Sequence, residues 1–183
     1  MSDSFPKSKT WKSYLFQVAL VTFSVLLALL INEWRQNIKN KALVAQAVKT
    51  IRDEISTNKI EIEKKLPMHE QLYTSIQEKK IGNIGLNVPI LRDTALEIIE
   101  ASGASPHLKY SDLVIISEIH EMQLTYKQNI AVIGQLIYSK MFTLSASDFN
   151  DFLRGYSILV GDVISFEKEL MSQYTNALAQ LSQ

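Results

Sequence analysis

The sequence predicts an all-α fold: an N-terminal transmembrane helix that continues into a long helix, followed by an antiparallel helical bundle. Three observations carry this reading. Residues 14–31, YLFQVALVTFSVLLALLI, form an uncharged apolar run. No proline or glycine interrupts residues 32–66. The later segments repeat their apolar residues at helical spacing, and none shows sustained period-two alternation between turn signals.

The apolar run, 18 residues long, makes a helix of about 27 Å, close to the ~30 Å hydrocarbon thickness of a bilayer. Trp11, Tyr14 and Trp34 bracket it, as aromatic rings do at the two membrane interfaces. A cleaved signal peptide has a shorter apolar core and a small-x-small site. Here the run ends in Leu29, Leu30, Ile31, Asn32, Glu33 and Trp34, so an uncleaved anchor is expected. Residues 1–13 are then a basic tail, 14–31 the span, 32–66 a connecting helix that contributes to the bundle, and 67–183 the rest of one helical domain. Lys7, Lys9 and Lys12 before the span balance Arg35, Lys39 and Lys41 after it. The α-amine and a tail with Asp3 as its single acid tip the expectation toward a cytoplasmic N-terminus and a periplasmic bulk in a bacterial inner membrane.

Composition narrows the function classes. The 183 residues carry 19 basic and 19 acidic side chains, a net charge of zero, which is unlike the cationic footprint of a nucleic-acid binder. With no cysteine, the chain has no disulfide, thiolate metal site or cysteine nucleophile.

Beyond the span, the unbroken stretch predicts a helix of about 55 residues, ~80 Å long, from Lys12 to a stop at Pro67. Val44, Val48, Ile51, Ile55 and Ile62 alternate four and three apart on it, with Asn58 breaking the stripe. A second helix over residues 68–80 should end at the breakers Gly82, Asn83, Gly85, Asn87 and Pro89. A third, over residues 90–101, carries Leu91, Ala95, Leu96, Ile98 and Ile99 and should stop at Ser102, Gly103, Ser105 and Pro106. Ser111 is placed to cap the next helix, which runs to about Phe142 and holds Leu113, Ile116, Ile119, Leu124, Ile130, Ile133 and Ile137. Ser145 with Asp148 resembles a capping box opening the last helix. That helix keeps a four-three rhythm through Phe149, Leu153, Tyr156, Val160, Val163, Leu170, Tyr174, Ala177 and Leu181, broken at Glu167.

Catalytic and metal signatures are not found. His120 lies between Glu118 and Glu121, but HEMQL lacks the second histidine of H-E-x-x-H, and no Glu-x-x-His pair is present. No G-x-S-x-G, P-loop or dinucleotide fingerprint occurs. His69, His107 and His120 are expected to be solvated or hydrogen-bonded structural residues. Tyr110, Tyr126, Tyr138, Tyr156 and Tyr174 are expected at core edges with hydroxyls in water. Catalytic, cofactor and metal residues are therefore expected to be none. Inside the span, Gln17, Val21, Ser24 and Ala28 share one helical face, and in lipid a polar group beside small residues suits a helix–helix contact.

Residues 26–58, LLALLINEWRQNIKNKALVAQAVKTIRDEISTN, resemble a group of uncharacterised bacterial single-span membrane proteins. Their pattern is an apolar span ending in Ile-Asn-x-Trp, matched by Ile31, Asn32 and Trp34, then Leu-x-x-Glu-Ile-x-x-Asn, matched by Ile51, Glu54, Ile55 and Asn58. Residues 108–126 are similar to a more distal region of the same group. The resemblance implies a single-span protein with a helical domain and lends no activity. The expected role is a non-enzymatic interaction or assembly subunit, whose partners are the bilayer and, through the transmembrane helix, a protein or a second copy. The alternative is a ligand-sensing extracytoplasmic domain that signals through a separate membrane partner.

Overall fold

The computed structural model describes residues 9–80, 85–141 and 148–181. Among the described residues are four α-helices and no strand: α1 (Lys9–Gln77), α2 (Ala95–Ala101), α3 (Tyr110–Met141) and α4 (Phe149–Gln180), with a 3₁₀ turn at Ser105–His107. Two compact units divide within α1, Met1–Ala42 and Leu43–Gln183. The all-α prediction holds, and the apolar run and the soluble stripe lie on one continuous helix of 69 residues.

In the first unit α1 stands alone, so its apolar side chains are exposed, Phe16 and Trp11 each at 70% and Leu30 at 63%. This is the one described helix long and apolar enough to cross a membrane, by length and composition.

The second unit is a three-helix bundle, and its direction follows from who touches whom. His69, Glu70 and Gln77 of α1 meet Glu167, Lys168 and Ser157 of α4, so numbers rise on one helix as they fall on the other. Gln123 and Tyr126 of α3 likewise meet Tyr174 and Phe166 of α4. Both pairs are antiparallel, which makes α1 and α3 parallel. Each seam is heptad-like: Ile51, Ile55, Asn58, Ile62, His69 and Ile76 on α1, and Ile116, Ile119, Gln123, Tyr126 and Ile133 on α3, are buried. On α4 the predicted rhythm is buried from Leu153 to Leu181, whereas its first member, Phe149, is exposed at 39%, and Glu167 lies within the buried part at 0% exposure rather than breaking it.

Parallel neighbours need a connection that travels back the length of the bundle. Within it, residues 85–95 descend beside α1: Asn87 lies at Lys65 and His69, Arg92 at Asn58, and Thr94 and Ala95 at Glu54. An ion pair of 2.6 Å from Lys127 to Asp93 ties this crossover to α3 as well.

Several boundaries differ from the prediction. Pro67 does not end α1, which runs on to Gln77. A proline removes one helical hydrogen bond and leaves the carbonyl four residues earlier without a donor. Pro67 and Glu63 are both exposed, so that carbonyl faces water while Ile62, His69 and Ile76 hold the opposite side in the core. The helix instead stops at a Schellman turn, where Lys79 and Lys80 donate backbone bonds to Ile76 and Ser75. Lys79 occupies the left-handed position at φ 56°, normally a glycine's place.

The predicted helix over 90–101 begins only at Ala95, because Arg92 and Thr94 spend backbone groups on α1 side chains. Its predicted stop is borne out: Gly103 at φ 73° closes a second Schellman turn, and Ala104 packs behind it at 0% exposure. Ser111 does not cap α3. The first backbone bonds of that helix go to the Lys109 carbonyl, and the Ser111 hydroxyl donates to Asp112 at 3.3 Å. Asp148 is the N-cap residue of α4 but makes no side-chain capping bond. Ser145, Gly82 and Asn83 lie outside the described residues, and so does Phe142.

Candidate functional site

The polar side chains that an apolar seam would exclude gather into two layers inside the bundle. In the first, Glu167 of α4 receives two donors. Tyr126 Oη donates to Oε1 at 2.6 Å, and His69 Nδ1 lies 2.9 Å from Oε2. The second ring nitrogen, His69 Nε2, lies 3.0 Å from the carbonyl oxygen of Asn87. Glu167, His69 and Tyr126 are 0%, 1% and 2% exposed.

Both imidazole nitrogens therefore face oxygen acceptors, which neutral histidine beside an ionised glutamate cannot satisfy, having one N–H for two sites. One further proton, carried by the imidazole or by the carboxyl, completes the set. Burial alone pushes the His69 pKa down. The hydrogen bond to Glu167, the charge of that carboxylate and the bond to Asn87 outweigh it, while Lys65 opposes them weakly, so the pKa lies above its ordinary value. Burial also pushes the Tyr126 hydroxyl well up, reinforced by its bond to Glu167 and by that residue's charge. Tyr126 thus stays a neutral donor.

The second layer lies below. Asn58 pairs with the backbone of Arg92 on both sides: Nδ2 donates to the carbonyl at 2.7 Å, and Oδ1 accepts from the N–H at 2.8 Å. Glu54, one turn earlier, accepts from the N–H groups of Thr94 and Ala95 at 3.0 and 2.9 Å. Thr94 makes no side-chain cap of its own, so Glu54 caps α2 from another helix. Gln123 Nε2 donates to Tyr174 Oη at 3.2 Å, while Gln123 Oε1 is buried without a hydrogen-bond partner. Burial pushes the Tyr174 and Tyr156 hydroxyls up to about 12.

Chemically, the layers bind helices to one another and hold a proton. They are enclosed by Ile55, Ile62, Ile116, Ile119 and Leu170, each at most 2% exposed. Open grooves lie elsewhere, one of about 660 Å³ between α3 and α4, lined by Glu118, Glu121 and Glu169 together with Ile119 and Phe166. Among the described residues no group of three or more His, Asp or Glu side chains is placed to hold a metal ion.

Of the residues singled out in the sequence, His69 is buried and doubly bonded, His120 is half-buried and His107 is exposed. Tyr126, Tyr156 and Tyr174 are fully buried, a correction to their predicted place at core edges; Tyr110 and Tyr138 are exposed at 83% and 71%. Rings this large fill the wide spaces of a three-helix core, and partners inside it meet the hydroxyls of Tyr126 and Tyr174. Gln17, Val21, Ser24 and Ala28 belong to the first unit and are all exposed. Ser24 Oγ donates to the Leu20 carbonyl at 2.8 Å, so its proton is satisfied within its own helix. Sequence reasoning missed Glu54, Asn58, Gln123 and Glu167. The available signal was their position: each polar residue stands on or beside a seam where its neighbours in the rhythm are apolar.

No known family model, curated protein or solved structure matches this chain.

Proposed function

We propose that this chain is a non-enzymatic, membrane-anchored helical protein that serves as an interaction or assembly subunit in the bacterial inner membrane. The observation that carries the proposal is the first unit of α1: an uncharged apolar run, wholly exposed, on the helix that goes on to form one third of a folded bundle. Exposed apolar surface of this extent is stable in lipid and not in water. The N-terminus is assigned to the cytoplasm and the bundle to the periplasm. The face Gln17, Val21, Ser24 and Ala28 is the proposed contact, where Gln17 retains an unspent amide for an interhelical hydrogen bond.

The absence of cysteine makes the test clean, because an introduced one is the sole thiol. Full-length chain carrying Val21→Cys should form a disulfide dimer in native membranes under mild oxidant, and Leu26→Cys, on the opposite side of the helix, should not. A photo-crosslinker at position 21 captures a different protein if the partner is not a second copy. Monomer alone at both positions, under conditions that crosslink a known dimer, refutes the proposal. Protease added from the periplasmic side should remove the bundle without membrane rupture.

A second reading is favoured by the groove between α3 and α4: a ligand-sensing domain that signals through a separate membrane partner. Its carboxylates suit a cationic small molecule. A thermal shift of the full chain with a panel of organic cations supports this reading, and no shift with any of them removes it.

A further inference from the structure

The first polar layer is more elaborate than packing requires. It joins all three long helices to the crossover through a single imidazole, and it does so with one more proton than a neutral histidine and an ionised glutamate possess. We propose that the His69–Glu167 pair is a proton-operated latch for the crossover: with the proton bound, the Asn87 carbonyl is docked on the His69 ring, and when the proton leaves, that carbonyl turns away from the ring while buried Pro89 and the stretch from Arg92 to Ala95 stay clamped.

The direction of the change follows from which acceptor is harder to abandon. After deprotonation the imidazole keeps one N–H. Placed on Nε2, it would leave the Nδ1 lone pair against a buried carboxylate oxygen at 2.9 Å, a repulsion between a full charge and a lone pair inside the core. Placed on Nδ1, it keeps the charge-assisted bond to Glu167 and turns the Nε2 lone pair on a neutral carbonyl at 3.0 Å. The second arrangement is the less costly, so the break falls at Asn87. Tyr126 supports this choice, because its hydroxyl donates to the other Glu167 oxygen at 2.6 Å and holds that side chain against the imidazole.

The groups around the imidazole permit this titration. From α1, Lys65 donates to the Asn87 side chain at 2.9 Å, and its charge slightly disfavours a second cation. Glu70 of α1 and Lys168 of α4 neutralise each other at 2.7 Å, as do Lys127 of α3 and Asp93 of the crossover at 2.6 Å. Tyr174 lies beyond Tyr126 and stays neutral in the relevant range. Once Nε2 withdraws, the surface bond from Lys65 is the remaining polar tether of Asn87 to α1 among the described residues, and water competes for it. Arg92, Thr94 and Ala95 keep the bonds to Asn58 and Glu54, none of which involves the imidazole. The upward displacement of the His69 pKa agrees with this geometry.

The test is nuclear magnetic resonance of the full chain in detergent micelles, with ¹⁵N in the histidine rings and ¹³C in the carbonyls, between pH 6 and 10. Below the transition both His69 nitrogens should be protonated or strongly hydrogen-bonded. Above it the Nε2–H correlation should be lost, the Nδ1–H retained, and the Asn87 carbonyl shifted while that of Arg92 stays in place. In Glu167→Gln the amide donates to Nδ1, the ring is neutral with its N–H on Nε2, and Asn87 should stay docked throughout. A high-pH ring protonated on Nε2, an Asn87 carbonyl that does not move, or equal movement at Arg92 each overturns the latch. The wild-type spectra decide the matter even where the variant does not fold.

Discussion

Asn58 offers the sharpest test of how the crossover is held. Replacing it with alanine removes two hydrogen bonds of 2.7 and 2.8 Å from a side chain at 0% exposure, and strands both the N–H and the carbonyl of Arg92 against an apolar α1 face. A hydrogen bond contributes about 1 kcal/mol net, and a stranded buried group costs about 1–3 kcal/mol. The Arg92 side chain is exposed, so water reaches its backbone from one side and the lower end of that penalty applies. The expected loss is about 2–4 kcal/mol. For a unit of about 140 residues, at ~2.1 cal/mol/K per residue, this lowers Tm by about 7–14 °C. Circular dichroism of the full chain in detergent reads the transition, since the apolar part of α1 stays helical in the micelle and adds a constant baseline. Asn58→Asp sharpens the result: the carboxylate still accepts from Arg92 N–H but turns an anion on its carbonyl, and protonation restores a donor. Relative to wild type, this variant should be the less stable at pH 8 and recover as pH falls. A loss under about 1 kcal/mol for Asn58→Ala, or no relative recovery for Asn58→Asp, would falsify the view that this amide fixes the crossover.

Three further outcomes are expected. The raised His69 pKa stabilises the bundle fully below its unfolded value near 6.5, and this contribution is lost as pH rises through the folded value; urea midpoints should fall from about pH 6.5 upward and lose that slope in His69→Gln. Glu54→Ala removes the α2 cap and should cost about 1–2 kcal/mol in chemical denaturation, with hydrogen exchange accelerated first at Thr94 and Ala95. Gly155→Ala meets no atom within 4 Å on an exposed face of α4 and should stabilise by up to about 1 kcal/mol. Gly161→Ala places its Cβ 3.3 Å from the Tyr73 ring and should gain less, a difference that equal melting shifts would contradict.

What was legible in the sequence divides along a physical line. Helices were legible because their signal is local: the apolar run, the uninterrupted stretch to Leu66 and the rhythm of α4 each need neighbours within a turn or two. The Gly103 stop was legible for the same reason, since the left-handed position asks for a particular residue. Lys79 fills the equivalent position at the end of α1 with no such mark, and Pro67 carries a mark that the fold overrides by facing it to water. The bonds of the buried polar residues were illegible because their partners are remote. Glu167 looked like a break in an apolar rhythm, and the two residues that explain it stand 98 and 41 positions away.

Asn58 and Glu54 show how such a residue is found without coordinates. They occupy the Ile51-x-x-Glu54-Ile55-x-x-Asn58 pattern, where the two polar side chains are four apart and thus aim at the same neighbour. A surface pair of this spacing has no need of isoleucines beside it; buried Ile51 and Ile55 place the pair at the edge of the core, where an uncapped helix start and an unpaired backbone are what a carboxylate and an amide can serve. The same logic applies to His69, seven residues from both Ile62 and Ile76, and to Gln123, between Ile119 and Tyr126 on the α3 seam. When every long helix of a predicted bundle carries a polar residue in its apolar register, those residues are better assigned to one another than to solvent. A seam can exclude water only if the groups it buries are already satisfied.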